Sequence, residues 1–160
     1  MQILRPYVRE GMTVLEPGPG MGFFTIPLAR LVGPSGRVVA IDVQPRMIAS
    51  LKRRAAKANL IDRIDARVTS AETMEIADLA GNVDFTLAFA MVHEFPNAAR
   101  FFGEVTQASK PGAHLLLSEP WGHVNEAKFD AELRAAADVD LRLIERPLIR
   151  RMHSALLTKK

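Results

Sequence analysis

The sequence predicts an α/β protein with a doubly wound, mostly parallel β-sheet. Two observations predict this fold class. Short apolar runs alternate with segments of helical spacing along the 160 residues, as in repeated strand–helix units. Several of these runs are hydrophobic at consecutive positions, which is typical of parallel strands that are covered on both faces. Because such units connect in a right-handed sense, we expect helices on both sides of the sheet.

Apolar runs along the chain define the predicted strands. They are TVLE (13–16), RVVAID (37–42), DARVT (65–69), VDFTLAFA (83–90) and AHLLLSE (113–119). The tail, DLRLIERP followed by RRMHSALLTKK, is predicted to form two further strands in a hairpin joined at Pro147. Ligands bind doubly wound sheets at the carboxyl ends of the strands. We therefore expect one rim of the sheet to be lined by Glu16, Asp42, Ser70, Phe89 and Glu119.

Helices are predicted between the strands, over residues 23–32, 46–59, 97–109 and 125–137, with a weaker helical pattern over 72–79. Their boundaries have local causes. The first helix stops at the turn cluster GPSG, and the third stops at Lys110-Pro111-Gly112. Asn125 is placed to cap the fourth helix.

Composition is that of an ordinary globular protein. A hydrophobic fraction of 48% supplies one core, so residues 1–160 are predicted to form a single domain. No apolar run approaches the ~18 residues of a membrane span, and the first residues lack the order of a secretory signal. The chain has no cysteine, which excludes disulfides and thiol nucleophiles within it. These features favour a cytoplasmic location.

The net charge of +3 is a mild bias, but the basic residues are clustered. One cluster lies within residues 46–57. The other lies in the tail, where only Glu145 opposes Arg142, Arg146, Arg150, Arg151, Lys159 and Lys160. Both clusters are explained by side chains on solvent-exposed surfaces. The alternative is a surface that binds a polyanion weakly.

The segment VLEPGPGMGFFT (14–25) predicts a ligand-binding turn. A phosphate-cradling loop needs Lys and then Ser or Thr after its last glycine, but Phe23 follows Gly22. A dinucleotide loop of the form G-x-G-x-x-G fits Gly18 and Gly20, but its third position is again Phe23. Glu16 would also repel a pyrophosphate. The carboxylate instead suits a cationic ligand such as S-adenosylmethionine, which carries a sulfonium and an ammonium group.

A second acid supports this interpretation. Asp42 follows Gly18 by 24 residues, close to the ~20 expected of a ribose-binding acid. A carboxylate there accepts strong, charge-assisted hydrogen bonds from ribose hydroxyls.

Several motifs together resemble those of the class I S-adenosylmethionine-dependent methyltransferases. LEPGPGMG followed by AIDVQPRM resembles the first two strand ends of this family, and more narrowly its small-molecule group, which includes the quinone-biosynthesis methyltransferases. VDFTLAFAMVHEFPN and SKPGAHLLLSEP resemble its fourth and fifth strands. The resemblance covers nearly the whole chain. It implies a Rossmann-like, seven-stranded sheet of order 3-2-1-4-5-7-6 with an antiparallel last strand.

The resemblance also implies which residues bind the cofactor. Glu16, Gly18, Gly20 and Gly22 would surround the methionyl part, and Asp42 would hold the ribose. The adenine would lie between Val43 and Met47, next to Ser70 and Ala71, while Phe89 and Ala90 would offer backbone groups to the amine. Ser70 stands where the family often has Asp, so we expect looser adenine binding.

The implied activity is in-line methyl transfer to a small-molecule acceptor, whose identity the sequence leaves open. Candidate bases on the rim are His93, Glu94, Glu119 and His123, and none is assigned as catalytic. The two histidines also fit loop residues with ordinary hydrogen bonds. Trp121 is expected to cover the core, with stacking on an aromatic acceptor as the alternative.

Other substrates fit less well. Without cysteine, arsenite methylation by thiol relay and cytosine-C5 methylation through a thiolate are excluded for this chain. FAMVHEF stands where amide and adenine-amino methyltransferases carry NPPY-like or DPPY-like motifs. No metal-binding pattern is present in the sequence, and nucleic acid is not an expected partner.

Only about a dozen residues precede the first strand, so the N-terminal lid of the family is expected to be reduced to one helical turn. We expect an open pocket that a second copy, a partner subunit or the substrate closes. The alternatives left open are a non-catalytic cofactor-binding subunit, an RNA methyltransferase and, more distantly, a nicotinamide enzyme.

Overall fold

Seven strands form one sheet in the computed structural model, which describes residues 3–160. The sheet order is β3-β2-β1-β4-β5-β7-β6, and β7 runs antiparallel to both β5 and β6 while the other neighbours are parallel. The predicted fold class, strand order and reversed last strand are confirmed. The strands are β1 Thr13–Pro17, β2 Arg37–Asp42, β3 Ile64–Val68, β4 Val83–Phe89, β5 Ser109–Pro120, β6 Leu141–Glu145 and β7 Met152–Lys159.

Helices cover both faces of the sheet: α1 Thr25–Leu31, α2 Pro45–Lys57, α3 Ala98–Ala108 and α4 Glu126–Ala137. Their starts have local chemical causes. Pro45 occupies the first turn of α2, where its missing N–H costs nothing. The Asn97 side chain accepts a hydrogen bond from the Arg100 N–H at 3.0 Å, and Asn125 caps α4 in the same way.

The core lies in two layers. Buried side chains of α1, α2 and the segment before β1 pack on one face of the sheet, and those of α3 and α4 pack on the other. Residues 3–12 contain a helical turn, closed by the Val8 N–H on the Leu4 carbonyl at 3.0 Å, and a second turn closed by the Met12 N–H on the Arg9 carbonyl at 3.4 Å. Leu4 and Val8 are both buried on the sheet.

None of the helices within residues 3–160 is long and apolar enough to cross a membrane.

Two sequence expectations differ from the structure. The weak helix over 72–79 is wrong except for a 3₁₀ turn at Ala77–Leu79. Side chains of Ser70, Thr73 and Glu75 bond to nearby backbone N–H groups instead, and such bonds compete with helix formation. Strand β5 begins at Ser109 and not at 113, because Ser109 pairs with Val83. Lys110-Pro111-Gly112, the predicted stop of the third helix, lies within β5, and the pairing of β4 with β5 shifts register there.

Candidate active site

The carboxyl ends of β1, β2 and β4 enclose a cavity of about 260 Å³. Parallel pairing brings these ends together, with Pro17 beside Ile41 and Asp42 beside Val68. Seven of the residues predicted to bind the cofactor line this cavity: Gly18, Gly20, Asp42, Val43, Met47, Ala71 and Ala90. Glu16, Gly22, Ser70 and Phe89 lie nearby but outside the lining.

The three glycines of the turn have different roles. All have positive φ, +67° at Gly18, +53° at Gly20 and +86° at Gly22, a region that side chains disfavour. A Cβ on Gly22 would lie 2.5 Å from Leu51 Cδ1, and one on Gly18 would lie 3.0 Å from Met91 Cβ. Nothing lies within 4 Å of the same position on Gly20. Gly22 and Gly18 therefore permit close packing, whereas Gly20 leaves free space at the cavity.

Glu16 is a buried acid with an unused oxygen. Its side chain is 3% exposed, and Oε2 has no hydrogen-bond partner. Burial raises the pKa of Glu16 to about 7, while the nearby Thr25 hydroxyl acts in the opposite direction without forming a well-aligned hydrogen bond. A buried carboxylate is costly unless it is paired. A cationic hydrogen-bond donor above the glycine turn would supply that pairing.

Asp42 lies across the cavity at the end of β2. Its Oδ1 accepts the Gln44 N–H at 2.8 Å, and Oδ2 accepts no hydrogen bond from residues 3–160. Val43 and Met47 provide an apolar surface beside it. This arrangement suits a ligand that has hydroxyl donors next to a flat apolar group.

Ser70 and Ala71 follow β3, and only Ala71 of this predicted pair lies at the cavity. Ala71 lines it, as does Thr69, which the sequence interpretation missed. Ser70 is exposed, its N–H donates to Glu75 Oε1 at 3.0 Å, and its hydroxyl accepts from the Thr73 N–H at 3.3 Å. The Ser70 side chain therefore stabilises its own turn.

Phe89 contributes to an aromatic cluster at the end of β4. Its ring lies 4.6 Å from that of Phe24, which contacts Phe23 edge-on at 4.9 Å. The next residue, Ala90, lines the cavity with a φ of +57°. Its N–H already donates to the Ser118 carbonyl at 2.7 Å, so this N–H is not free to bind a ligand.

The sequence interpretation missed further lining residues, which come from the ends of β1 and β2 and from the loop after β4. Backbone proximity brings them to the cavity, and no residue-type signal marks them in advance. They are Pro17, Ile41, Gln44, Met91 and Phe95.

A buried carboxylate organises the loop after β4. Glu119, at the end of β5, is 0% exposed. Its Oε1 accepts the N–H groups of Met91 at 3.2 Å and Val92 at 2.8 Å, and its Oε2 is hydrogen-bonded to His93 Nδ1. His93 Nε2 has no hydrogen-bond partner within residues 3–160, and the His123 ring lies 5.2 Å from that of His93. Of the two candidate histidines, His93 is therefore the one whose ring is held in a fixed orientation by a side-chain hydrogen bond.

A second buried acid lies behind this pair. Burial and the charge of Glu119 raise the pKa of Glu132, on α4, to about 7. Glu132 Oε2 has no hydrogen-bond partner. Glu94 differs from both acids because it is exposed and lines the cavity.

Trp121 does not cover the core, contrary to expectation, because its side chain is 59% exposed. It lies on the turn after β5, where its N–H donates to the Arg151 carbonyl at 3.2 Å. Val124 and Phe129, which are fully buried, close the core near this turn. The alternative reading, a ligand-stacking surface, stays a prediction.

Comparison with known proteins identifies the family. A family model described as "Methyltransferase domain" matches residues 8–147. The chain belongs to the class I S-adenosylmethionine-dependent methyltransferases, and S-adenosylmethionine is the cofactor of this family.

Individual similarities agree with this assignment. An arsenite methyltransferase of Halobacterium salinarum is 30% identical over 109 residues, which cover 68% of this chain and 27% of that protein. A ubiquinone/menaquinone biosynthesis C-methyltransferase of Hydrogenovibrio crunogenus is 29% identical over 112 residues, 70% of this chain and 43% of that protein. The chain thus spans less than half the length of these relatives. The crystal structure of a SAM-dependent methyltransferase from Aquifex aeolicus superposes with a TM-score of 0.87 at 23% identity, covering 99% of this chain and 88% of that one.

Proposed function

We propose that residues 1–160 act as one domain that transfers the methyl group of S-adenosylmethionine to a small-molecule acceptor. The observation that carries the proposal is the buried, unpartnered Oε2 of Glu16 beneath a glycine turn, at the edge of the cavity that Asp42 lines. These residues fit the cofactor. Glu16 complements its positive charge, Gly20 leaves room for its methionyl part, and Asp42 Oδ2 is available to a ribose hydroxyl.

The remaining site residues complete the cofactor pocket in this proposal. Val43 and Met47 hold the adenine on their apolar surface, and Ala71 closes its edge. Gly18 and Gly22 let the turn pack closely on Met91 and Leu51 and so hold it in place at the cavity, while Ser70 and Phe89 support the walls from outside the lining. The strand ends thus provide a charged half and an apolar half.

The protein contributes mainly positioning to the reaction. When bound, S-adenosylmethionine supplies an activated methyl group. Holding the acceptor in line with that group contributes ~7–11 kcal/mol in well-oriented systems. His93, oriented by Glu119, takes the proton when the accepting atom is a hydroxyl or another protonated nucleophile. Because the chain has no cysteine, it provides no thiolate for a relay on arsenite.

Exposed apolar side chains flank the glycine turn and the cavity: Met21 is 56% exposed, Phe23 73% and Val43 47%. We propose that a second copy of the chain, or a partner subunit, covers this surface when the cofactor is bound. Light scattering with and without the cofactor measures this directly. The proposal would be contradicted if the chain stayed monomeric with and without the cofactor and bound no partner subunit.

Calorimetric titration tests the cofactor proposal. We expect S-adenosylmethionine to bind the wild-type chain and to bind Asp42→Ala at least ~10-fold more weakly, because a charge-assisted hydrogen bond is lost. Asp62→Ala, an exposed acid remote from the cavity, is the matched control and should bind normally. Equal affinity for Asp42→Ala and Asp62→Ala would overturn the assignment.

Turnover with labelled cofactor against a panel of phenols, quinols and amines then tests the transfer. Methylated product from one class establishes the acceptor. Tight cofactor binding without any product, alone or with partners, would instead favour a non-catalytic subunit. Binding of tRNA that resists salt would argue against an electrostatic RNA site.

A further inference from the structure

A second, larger cleft lies at the same end of the sheet, between the β6–β7 connection and the start of α4. Its volume is about 770 Å³, and it shares no lining residue with the cofactor cavity. Basic, aromatic and aliphatic side chains form its walls, chiefly Trp121, Phe129, Arg146, Leu148, Arg150 and Arg151.

The cleft carries uncompensated positive charge. Arg146 is already paired with Asp130 at 3.0 Å, and its guanidinium lies 5.9 Å from the centre of the Phe129 ring. Arg150 and Arg151 are exposed and form no ion pair or side-chain hydrogen bond within residues 3–160. Glu126 is the one acidic residue among the described residues that line the cleft. Two guanidinium groups are therefore available to an anion.

The cleft also has a defined aromatic wall. The Trp121 ring lies 6.1 Å from that of His153, which stacks on Phe129 at 5.5 Å and 27°. Arg151 holds a φ of +61°, a region that non-glycine residues disfavour. The backbone N–H of Trp121 donates to the backbone carbonyl of this residue, so the turn that carries the indole is tied to the basic loop through the backbone.

The cleft is close to the reaction centre. His153 pairs with Glu119 in the β5–β7 register, and Glu119 holds His93. Ser154, which lines the cleft, bonds to Ser118, the register partner of Phe89. Since β7, β5 and β4 are neighbours about 4.8 Å apart, roughly 10 Å separates the cleft from the end of β4. A single small molecule spans that distance.

We propose that the cleft of Trp121, Arg150 and Arg151 binds the anionic end of the methyl acceptor. The acceptor is then an elongated, partly aromatic molecule with a carboxylate or phosphate roughly 10 Å from the accepting atom. Arginine forks bind such groups with two parallel hydrogen bonds, and the indole stacks on the apolar part. This inference rests on the proposed function and adds the substrate class to it.

Trp121 is the single tryptophan of the chain, so its fluorescence reports on the cleft. Quenching by neutral acrylamide measures how accessible the indole is. At low ionic strength we expect quenching by iodide to be stronger than that accessibility alone predicts, because the anion concentrates near positive charge. The double variant Arg150→Gln plus Arg151→Gln should reduce iodide quenching roughly two-fold. Lys52→Gln plus Arg53→Gln, which removes two exposed charges from α2, is the matched control and should change nothing.

Ligand preference provides the decisive measurement. Trp121 fluorescence, excited at 295 nm, follows titration with 3-(4-hydroxyphenyl)propanoate and with its uncharged amide. We expect the acid to bind about 10-fold more tightly than the amide and the Arg150/Arg151 double variant to lose that preference. Equal affinities, or no saturable binding of the acid, would overturn the proposal. Tighter binding of a single-stranded RNA that displaces the acid would also overturn it, in favour of a nucleic-acid dock.

Calorimetry with S-adenosylmethionine separates this failure from failure of the proposed function. The Arg150/Arg151 variant should bind the cofactor with wild-type affinity. A wild-type chain that binds the cofactor but shows no preference for the acid would refute only the cleft assignment. A wild-type chain that does not bind the cofactor would refute the proposed function itself.

Discussion

At the scale of single residues, Glu16 explains most directly why this site suits a cation. Its pKa of about 7 lies above the ordinary value of 4.5 because the carboxyl is buried without a full set of partners. The folded protein therefore binds a proton that the unfolded chain releases between these pH values, so Glu16 lowers stability as pH rises from 4.5 through 7. A bound cation would reverse that cost.

Cofactor affinity should accordingly depend on pH. We expect affinity for S-adenosylmethionine to rise as pH increases through about 7, because only the ionised Glu16 attracts the cation. Calorimetry from pH 5.5 to 8.5 measures it, and Glu16→Gln should flatten the profile. Glu132→Gln is the control, because Glu132 has a similarly raised pKa but lies outside the cavity. In this variant the affinity should still rise with pH. A profile equally steep in Glu16→Gln would contradict this role.

Two glycines of one turn should respond differently to the same substitution. Gly22→Ala would place Cβ 2.5 Å from the buried Leu51 side chain, so we expect a loss of about 2–3 kcal/mol of unfolding free energy. Gly20→Ala meets nothing within 4 Å, so it should cost only ~1 kcal/mol of stability and act mainly by weakening cofactor binding. Urea unfolding and calorimetry separate the two effects. Similar stability losses in both variants would disprove the distinction.

At the scale of elements, the strands were predictable because buried parallel strands leave runs of consecutive apolar residues. The helix boundaries were predictable where Pro45, Asn97 and Asn125 mark them chemically. The segment after β3 was not, since side chain–backbone bonds around Ser70 and Glu75 outweigh a weak helical pattern. Local competition of this kind leaves no periodic signal.

The loop after β4 depends on one buried carboxylate, and its removal should be costly. Glu119→Ala leaves the buried N–H groups of Met91 and Val92 and the His93 ring without their acceptor. We expect a loss of about 3 kcal/mol of unfolding free energy in urea. Glu94→Ala removes an exposed acid from the same loop and should stay within ~0.5 kcal/mol of wild type. A loss for Glu119→Ala as small as that for Glu94→Ala would show that the loop does not rely on it.

At the scale of the whole molecule, the order of the strands places the cavity and the cleft at one rim of the sheet. The parallel strands β1, β2 and β4 create the cavity proposed to bind the cofactor, and sequence motifs pointed to Gly18, Gly20 and Asp42 in its lining. The cleft was not predictable in the same way. Trp121 and Arg151 lie 30 residues apart and meet only because β7 returns antiparallel to β5. Sequence patterns report local chemistry well and contacts between distant segments poorly.

We propose that the glycine turn, Glu16 and Asp42 bind an adenosyl sulfonium and not a pyrophosphate cofactor. Parallel calorimetric titrations of the wild-type chain with S-adenosylmethionine and with NAD⁺ test it most directly. We predict saturable 1:1 binding of S-adenosylmethionine and no measurable heat with NAD⁺. Saturable binding of NAD⁺ with none of S-adenosylmethionine would contradict it.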